Sequence, residues 1–138
     1  KVRIQSYLQE LSDDIKSLTD AGFRIKIVVT SQIERVGLKT IVPLGLLINE
    51  LVSNSMKHAF AKDSNGEITI AITNTQTAEF KLAYSDTGSW KEPVKSISSF
   101  GLELIQILTE QMEGRFQKNT DKGGTQYNFS LKNLDLEN

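Results

Sequence analysis

Apolar residues recur at spacings of mostly three and four at the start of the chain, at Val2, Ile4, Leu8, Leu11, Ile15 and Leu18. That stripe predicts an amphipathic helix over residues 1–21, ended by Gly22. The period then drops to two. Over residues 24–30, Ile25, Ile27 and Val29 fall on one face and Arg24, Lys26 and Val28 on the other, as in a half-buried strand. Pro43 suits the first turn of a second helix over residues 43–60. Residues 61–66, with Lys, Asp, Ser, Asn and Gly among them, read as a turn. Two further alternating runs follow, residues 67–73 with Ile68, Ile70 and Ile72 inward and residues 79–85 with Phe80, Leu82 and Tyr84 inward. They predict a hairpin through residues 74–78.

From residue 86 to residue 99 the periodicity gives way to Gly, Ser, Pro and Lys, a connection of the kind that often carries function. Regularity returns at Gly101, with Leu102, Ile105, Leu108 and Met112 forming a helical stripe that stops at Gly114. Residues 115–118 and 125–131 then bracket a turn rich in Gly, Asn and Asp, and residues 133–138 read as a loose tail. The count is three helices and about five strands. Because each strand is apolar on one side only, a single sheet with helices on one face is the economical architecture.

Composition removes several classes of function. The 138 residues carry 16 Lys+Arg against 17 Asp+Glu, a net charge of -1, so there is no electrostatic footprint for nucleic acid or an anionic membrane surface. The absence of cysteine excludes disulfides, thiolate metal sites and a cysteine nucleophile, and favours a reducing compartment. One histidine, His58, excludes any site built on two imidazoles. No apolar run approaches the roughly 20 residues that span a bilayer, and residues 1–10 lack the apolar core of a signal peptide. The chain starts without Met, and its first helix starts without a cap, so it reads as a soluble piece of a longer protein.

The second helix carries the chemistry. With Glu50 at zero on a helical wheel, Asn54 falls at about 40°, Lys57 at about -20° and His58 at about 80°, while Leu44, Ile48, Leu51, Val52 and Ala59 fill the arc from about 100° to 200°. One face thus joins a carboxylate, an amide and an ammonium. These suit a base or water-positioning group, a ligand for a hard cation such as Mg²⁺ and a phosphate contact. A solvated polar face with a lysine in the last turn explains the same residues without any ligand.

The stretch Pro43-Leu-Gly-Leu-Leu-Ile-Asn-Glu50-Leu-Val-Ser-Asn54-Ser-Met-Lys57-His58-Ala-Phe60 resembles the N box of sensor histidine kinases, in particular the subfamily whose box reads like NELVxNxxKHAF. The chain is similar to the ATP-binding domain of the superfamily that also includes DNA gyrase, the heat-shock chaperone ATPase and the mismatch-repair ATPase. The resemblance implies that Glu50 takes the base position, Asn54 the Mg²⁺-ligand position and Lys57 a phosphate-contacting position. His58 would either approach the phosphates or pack against the lid. Asp86-Thr-Gly88 resembles the box whose Asp accepts a hydrogen bond from the adenine 6-amino group and whose Gly lets backbone approach the base. Phe100-Gly101-Leu102 resembles the end of the second glycine box, where N–H groups at a helix N-terminus meet phosphate. Gly123-Gly124-Thr125 resembles the final Gly-Thr element, whose Thr hydroxyl helps fix adenine through water. Each of these three short elements, taken alone, also reads as an ordinary turn.

What the resemblance implies for the whole is an α+β, two-layer α/β sandwich of the Bergerat type: a mixed, mostly antiparallel sheet of about five strands with three helices on one face. Residues 1–22 would connect to an upstream dimerisation and phosphoacceptor helix, residues 23–133 would form the ATP-binding domain, and residues 134–138 a loose tail. The implied activity is transfer of the γ-phosphate of Mg-ATP to a His of that upstream domain, with a response regulator downstream. The domain would be cytoplasmic, without direct membrane contact, in a full-length homodimer either free or anchored in the inner membrane. Two positions depart from the pattern. Trp90 stands where the first glycine box has its second Gly, and Ser99 where the second box has its first. A side chain at either position costs about a kcal/mol or more in strain or lost contact. They favour an alternative, a degenerate nucleotide- or partner-binding module without phosphotransfer. A Ser-directed kinase is a third reading, against which the histidine-kinase character of the N box argues.

Overall fold

The computed structural model describes residues 1–19, 22–60, 64–75, 77–89, 95–121 and 123–136. Along the chain run β1 (Val2–Arg3), α1 (Ile4–Ser17), a 3-10 turn (Gly22–Arg24), β2 (Ile25–Ser31), β3 (Arg35–Val36), α2 (Leu38–His58), β4 (Gly66–Asn74), β5 (Glu79–Asp86), α3 (Lys95–Gln111), β6 (Arg115–Asp121) and β7 (Gly124–Lys132). Five strands form one sheet in the order β2-β4-β5-β7-β6, and β1 and β3 make a separate two-stranded pairing. The pair β2·β4 is parallel, because α2 carries the chain back between them, and β4·β5, β5·β7 and β6·β7 are antiparallel. The expected α+β sandwich, with a mixed and mostly antiparallel sheet and three helices, is the observed one.

Alternation along the strands supplies the core. Ile25, Ile27 and Val29 of β2, Ile68, Ile70 and Ile72 of β4, Phe80, Leu82 and Tyr84 of β5, and Tyr127, Phe129 and Leu131 of β7 are all buried. They share one cluster with Leu44, Leu47, Ile48, Leu51 and Val52 of α2, Ile105 and Leu108 of α3, and Met112 just after it. Each fully buried residue of this size contributes roughly 1.5–3 kcal/mol. The edge of β2 is closed by side chains of α1. Gln9 accepts from Val29 N–H (3.0 Å) and donates to Ile27 C=O (2.9 Å), Lys16 donates to Ile25 C=O (3.0 Å), and Gln5 accepts from Ser31 N–H (3.1 Å). An edge paired in this way is a poor template for a foreign strand.

Several boundaries differ from the sequence reading. The first helix spans Ile4–Ser17 rather than residues 1–21. Val2 pairs with Val36 in β1·β3, and Leu18, 86% exposed, lies beyond the helix, where its N–H closes the last turn on Ile15 C=O. The second helix begins at Leu38, so Pro43 lies inside it rather than in its first turn. The reason is a cap from far along the chain. Gly37 offers no capping side chain, and Asp135 accepts instead from Lys39 N–H (3.3 Å) and Thr40 N–H (3.1 Å). The Thr40 hydroxyl donates to Asn133 Oδ1 (3.1 Å) and accepts from Leu134 N–H (2.8 Å). Residues 133–136 are therefore docked where a loose tail was expected, and residues 137 and 138 lie outside the described residues, as do residues 61–63 of the expected turn. The third helix begins at Lys95 rather than Gly101, since Ile97, Phe100 and Leu104 extend the same three-and-four spacing backwards.

Replacing Asp135 by Ala should lower the free energy of unfolding by about 1 kcal/mol at neutral pH, the worth of an N-terminal cap. Burial pushes the Asp135 carboxyl up, but the Thr40 hydroxyl and the N–H groups of Thr40, Lys39 and Gly37 pull it down and prevail, leaving it below the ordinary carboxylate value. A group lowered in the folded state stabilises above its unfolded value of about 3.9 and loses that contribution as pH falls through the folded value. Urea denaturation should thus show a gap between wild type and Asp135→Ala that is constant near neutrality and closes in acid.

Candidate functional site

Asp86 is the last residue of β5, paired across the sheet with Ile68 on one side and Thr125 on the other. It is 4% exposed, so its carboxylate has exchanged water for protein donors. Gly88 N–H and Thr125 N–H each donate to Oδ1 at 3.2 Å, and the Ser55 hydroxyl of α2 donates to Oδ2 at 2.7 Å. Behind Ser55 stands Tyr84, two residues before Asp86 on the same strand, its Oη 2.6 Å from Ser55 Oγ and 3.0 Å from Leu51 C=O. Two glycines make this approach possible. Gly124 has φ 129°, and a Cβ there would stand 1.8 Å from the Asp86 carbonyl oxygen. A Cβ on Gly88 would stand 2.3 Å from the Ala59 carbonyl oxygen at the end of α2.

The polar row of α2 meets α3. Glu50 and Asn54 are half-buried, and a Cβ on Gly101 would lie 2.9 Å from Glu50 Oε1 and 3.3 Å from Asn54 Nδ2. Lys57 is exposed in the last turn. Beside it His58 is half-buried, and burial, with the Lys57 charge second, lowers its imidazole below the ordinary value. Tyr127 is buried, and its phenol is pushed up to about 12 by burial and then by the charges of Asp86 and Glu50. Lys118, across the ladder from Tyr127, places its ammonium 5.4 Å from the centre of that ring. Burial lowers Lys118, while the Asp86 charge acts in the opposite direction. Glu50, Asp86, Tyr127 and Lys118 therefore share one electrostatic neighbourhood.

The structure gathers the sequence candidates into two adjoining groups. Glu50, Asn54 and Gly101 form one, at the contact of α2 and α3. Asp86, Gly88 and Thr125 form the other, at the end of β5, with Thr125 only 2% exposed and its hydroxyl 3.4 Å from that of Thr120. Leu102 does not join them as a buried residue, since it is 39% exposed. Gly101 stands in the second turn of α3 rather than at a helix N-terminus, because the helix starts at Lys95. Ser99 falls within α3, and Trp90 lies outside the described residues. The sequence reading missed Ser55, Tyr84, Tyr127 and Lys118. Ser55 left a trace, being a polar residue inside the apolar arc of the wheel, and Lys118 another, as a charge on the inward face of an edge strand.

Among the described residues no three or more His, Cys, Asp or Glu stand together as a metal site, and no helix is long and apolar enough to cross a membrane. Asn54 offers an amide oxygen, a group able to contribute to holding a hard cation.

No protein-family model matches the chain, and no curated protein sequence matches it. Solved structures do. The histidine kinase domain of a blue-light activated histidine kinase from Erythrobacter litoralis is similar at 18% identity and a TM-score of 0.81, over 96% of this chain and 62% of that one. The mycobacterial sensor histidine kinase MprB is similar at 15% identity and a TM-score of 0.72, over 98% of this chain and 97% of that one. A structure of full-length ShkA in complex with AMPPNP is similar at 16% identity and a TM-score of 0.71, over 98% of this chain and 31% of that one. This chain thus spans under two thirds of the Erythrobacter and ShkA chains. At these identities the likeness is one of fold.

Two measurements probe the geometry without any ligand. Gly124→Ala should cost about 2 kcal/mol or more in denaturant unfolding, because an L side chain is strained there and meets the Asp86 carbonyl. Tyr127 is raised in the folded state, so its contribution is complete below an unfolded value of about 10 and is lost as pH rises toward the folded one. Ultraviolet phenolate titration should show a late transition near 12 that Tyr127→Phe removes.

Proposed function

We propose that the chain is the ATP-binding domain of a protein histidine kinase. The observation that carries this reading is the buried Asp86 carboxylate, gripped by Gly88, Thr125 and Ser55 at the end of β5, with Glu50 and Asn54 on the adjacent helix. The shared fold with histidine kinase catalytic domains supports it. A carboxylate so fixed suits the 6-amino group of adenine, and buried Thr125 suits the far side of the same ring. Asn54 offers an amide oxygen for Mg²⁺, which when bound would neutralise phosphate charge. In this reading Glu50 would orient the attacking group, and Lys57 and His58 would meet phosphate oxygens. Gly101 gives room for Glu50 and Asn54 beneath α3, with Leu102 at its outer side.

Phosphoryl transfer asks for positioning and charge stabilisation more than for acid–base groups, which fits so short a set. The acceptor would be a His on an upstream dimerisation domain, with residues 1–22 leading from it, in a homodimeric protein that passes the phosphoryl group to a response regulator. The domain would work in the cytoplasm. A second reading, a nucleotide- or partner-binding module without phosphotransfer, is favoured by the place of Gly101 inside α3, away from a helix N-terminus.

Titrating AMPPNP with Mg²⁺ into the domain by calorimetry should give binding that Asp86→Asn weakens by about tenfold or more, the worth of a hydrogen bond to a charged group. Asn54→Ala should remove its Mg²⁺ dependence. Absence of heat from the wild type would sink the nucleotide reading. Binding without Glu50- and Asn54-dependent phosphohistidine in the full-length protein would favour the second.

A further inference from the structure

The strand residues that alternate with the core point away from the helices, onto the other face of the sheet. On that face a groove of about 560 Å³ crosses β5, β7 and β6, over the inward residues Leu82, Phe129 and Phe116. Register sets its walls. Ser130 of β7 pairs with Lys81 of β5 on one side and with Arg115 of β6 on the other, so a short side chain separates two long cationic ones. Two strand spacings place the backbones of Lys81 and Arg115 roughly 10 Å apart. In the next row Asn128 pairs with Ala83 and with Gln117, which adds two amides beside another short residue.

The groove holds a surplus of positive charge. No carboxylate lines it. Lys132, two residues beyond Ser130, already answers the acids there, with an ion pair to Glu113 at 3.7 Å and Glu79 opposite it in the ladder. Among the described residues neither Lys81 nor Arg115 makes an ion pair, and both are exposed. A single small anion gains little from such cations, because exposed pairs are weak and screened by salt. A chain that lays several carboxylates along the groove adds those gains within one binding event. The polar, exposed lining also differs from the mostly apolar, enclosing pocket that a small molecule requires.

We propose that this outer face is a docking groove for an extended acidic segment of a partner protein, its carboxylates paired with Lys81 and Arg115 and its polar groups met by Ser130, Asn128 and Gln117. The groove lies on the opposite face of the sheet from buried Tyr84 and Asp86, so the proposal does not depend on the nucleotide reading.

The test is fluorescence anisotropy of a fluorescein-labelled octapeptide alternating glutamate and serine, with the wild type, Lys81→Gln, Arg115→Gln, their double variant and Lys26→Gln. Lys26 is an exposed cation of β2, paired with Glu67 toward the far edge of the sheet, and controls for general attraction. The wild type should bind at low salt and bind less well as ionic strength rises. Lys81→Gln and Arg115→Gln should each weaken binding by about two- to fivefold and the double variant by about tenfold, the scale of exposed ion pairs. Lys26→Gln should leave it unchanged, and the octapeptide with glutamine for glutamate should not bind. Amide resonances of Ala83, Asn128 and Ser130 should shift on titration with the acidic peptide. Absence of binding by the wild type, or equal weakening in Lys26→Gln, would overturn the proposal. So would displacement of the peptide by an equal concentration of inorganic phosphate, which would assign the groove to a small anion.

Discussion

A carboxylate sealed from water must find donors, and Asp86 finds them in three separate parts of the fold. Gly88 comes from the connection after β5, Thr125 from the start of β7 and Ser55 from the inner side of α2. Each donor fixes a larger element. The Thr125 N–H requires the register that sets Asp86 opposite Thr125, and that register requires the unusual backbone of Gly124. The Ser55 hydroxyl requires α2 to cross the sheet above β5, and the apolar contacts of Leu44, Leu47, Ile48, Leu51 and Val52 hold it there. Without those donors the buried charge would cost several kcal/mol, so the geometry at the end of β5 is bound up with the stability of the whole layer.

The helix that delivers Ser55 inward delivers Glu50 and Asn54 to a different side, against α3. One helix therefore ties a deep site to a shallower one, and Tyr127 feels the charges of both. That helix is also why the parallel step β2·β4 matters, since an antiparallel step would need no helix between the strands and would leave this end of the sheet bare.

The sequence revealed what depends on neighbours within a turn or a strand. Alternation in β2, β4 and β5 identified their inner faces, and the helical wheel placed Glu50 and Asn54 on one side and Leu51 and Val52 on another. What it hid depends on distant partners. The start of α2 lay beyond reach because its cap is Asp135, 95 residues after Thr40. Val2, two residues before Ile4, is counted with the helical stripe of α1 in the sequence, yet Val36 claims it for a strand. Ser55 and Tyr84 differ little in pattern from core neighbours, and only the fold shows that the Ser55 hydroxyl reaches the Asp86 carboxylate with the Tyr84 hydroxyl behind it. Lys118 left only its place on an edge strand, and its register is what sets its ammonium over the Tyr127 ring.

The cap on α2 has a consequence for how the protein comes into being on the ribosome. Thr40 leaves the exit tunnel before Asp135, 95 residues later, can reach it, so until then the amino end of this helix has no local side chain to close it, and Pro43 removes one of its backbone donors as well. Asp135, which follows β7, finishes the element that carries Glu50, Asn54 and Ser55. Chains stalled or clipped just after β7 would possess every strand and every one of those side chains and still lack the clasp on the helix that presents them.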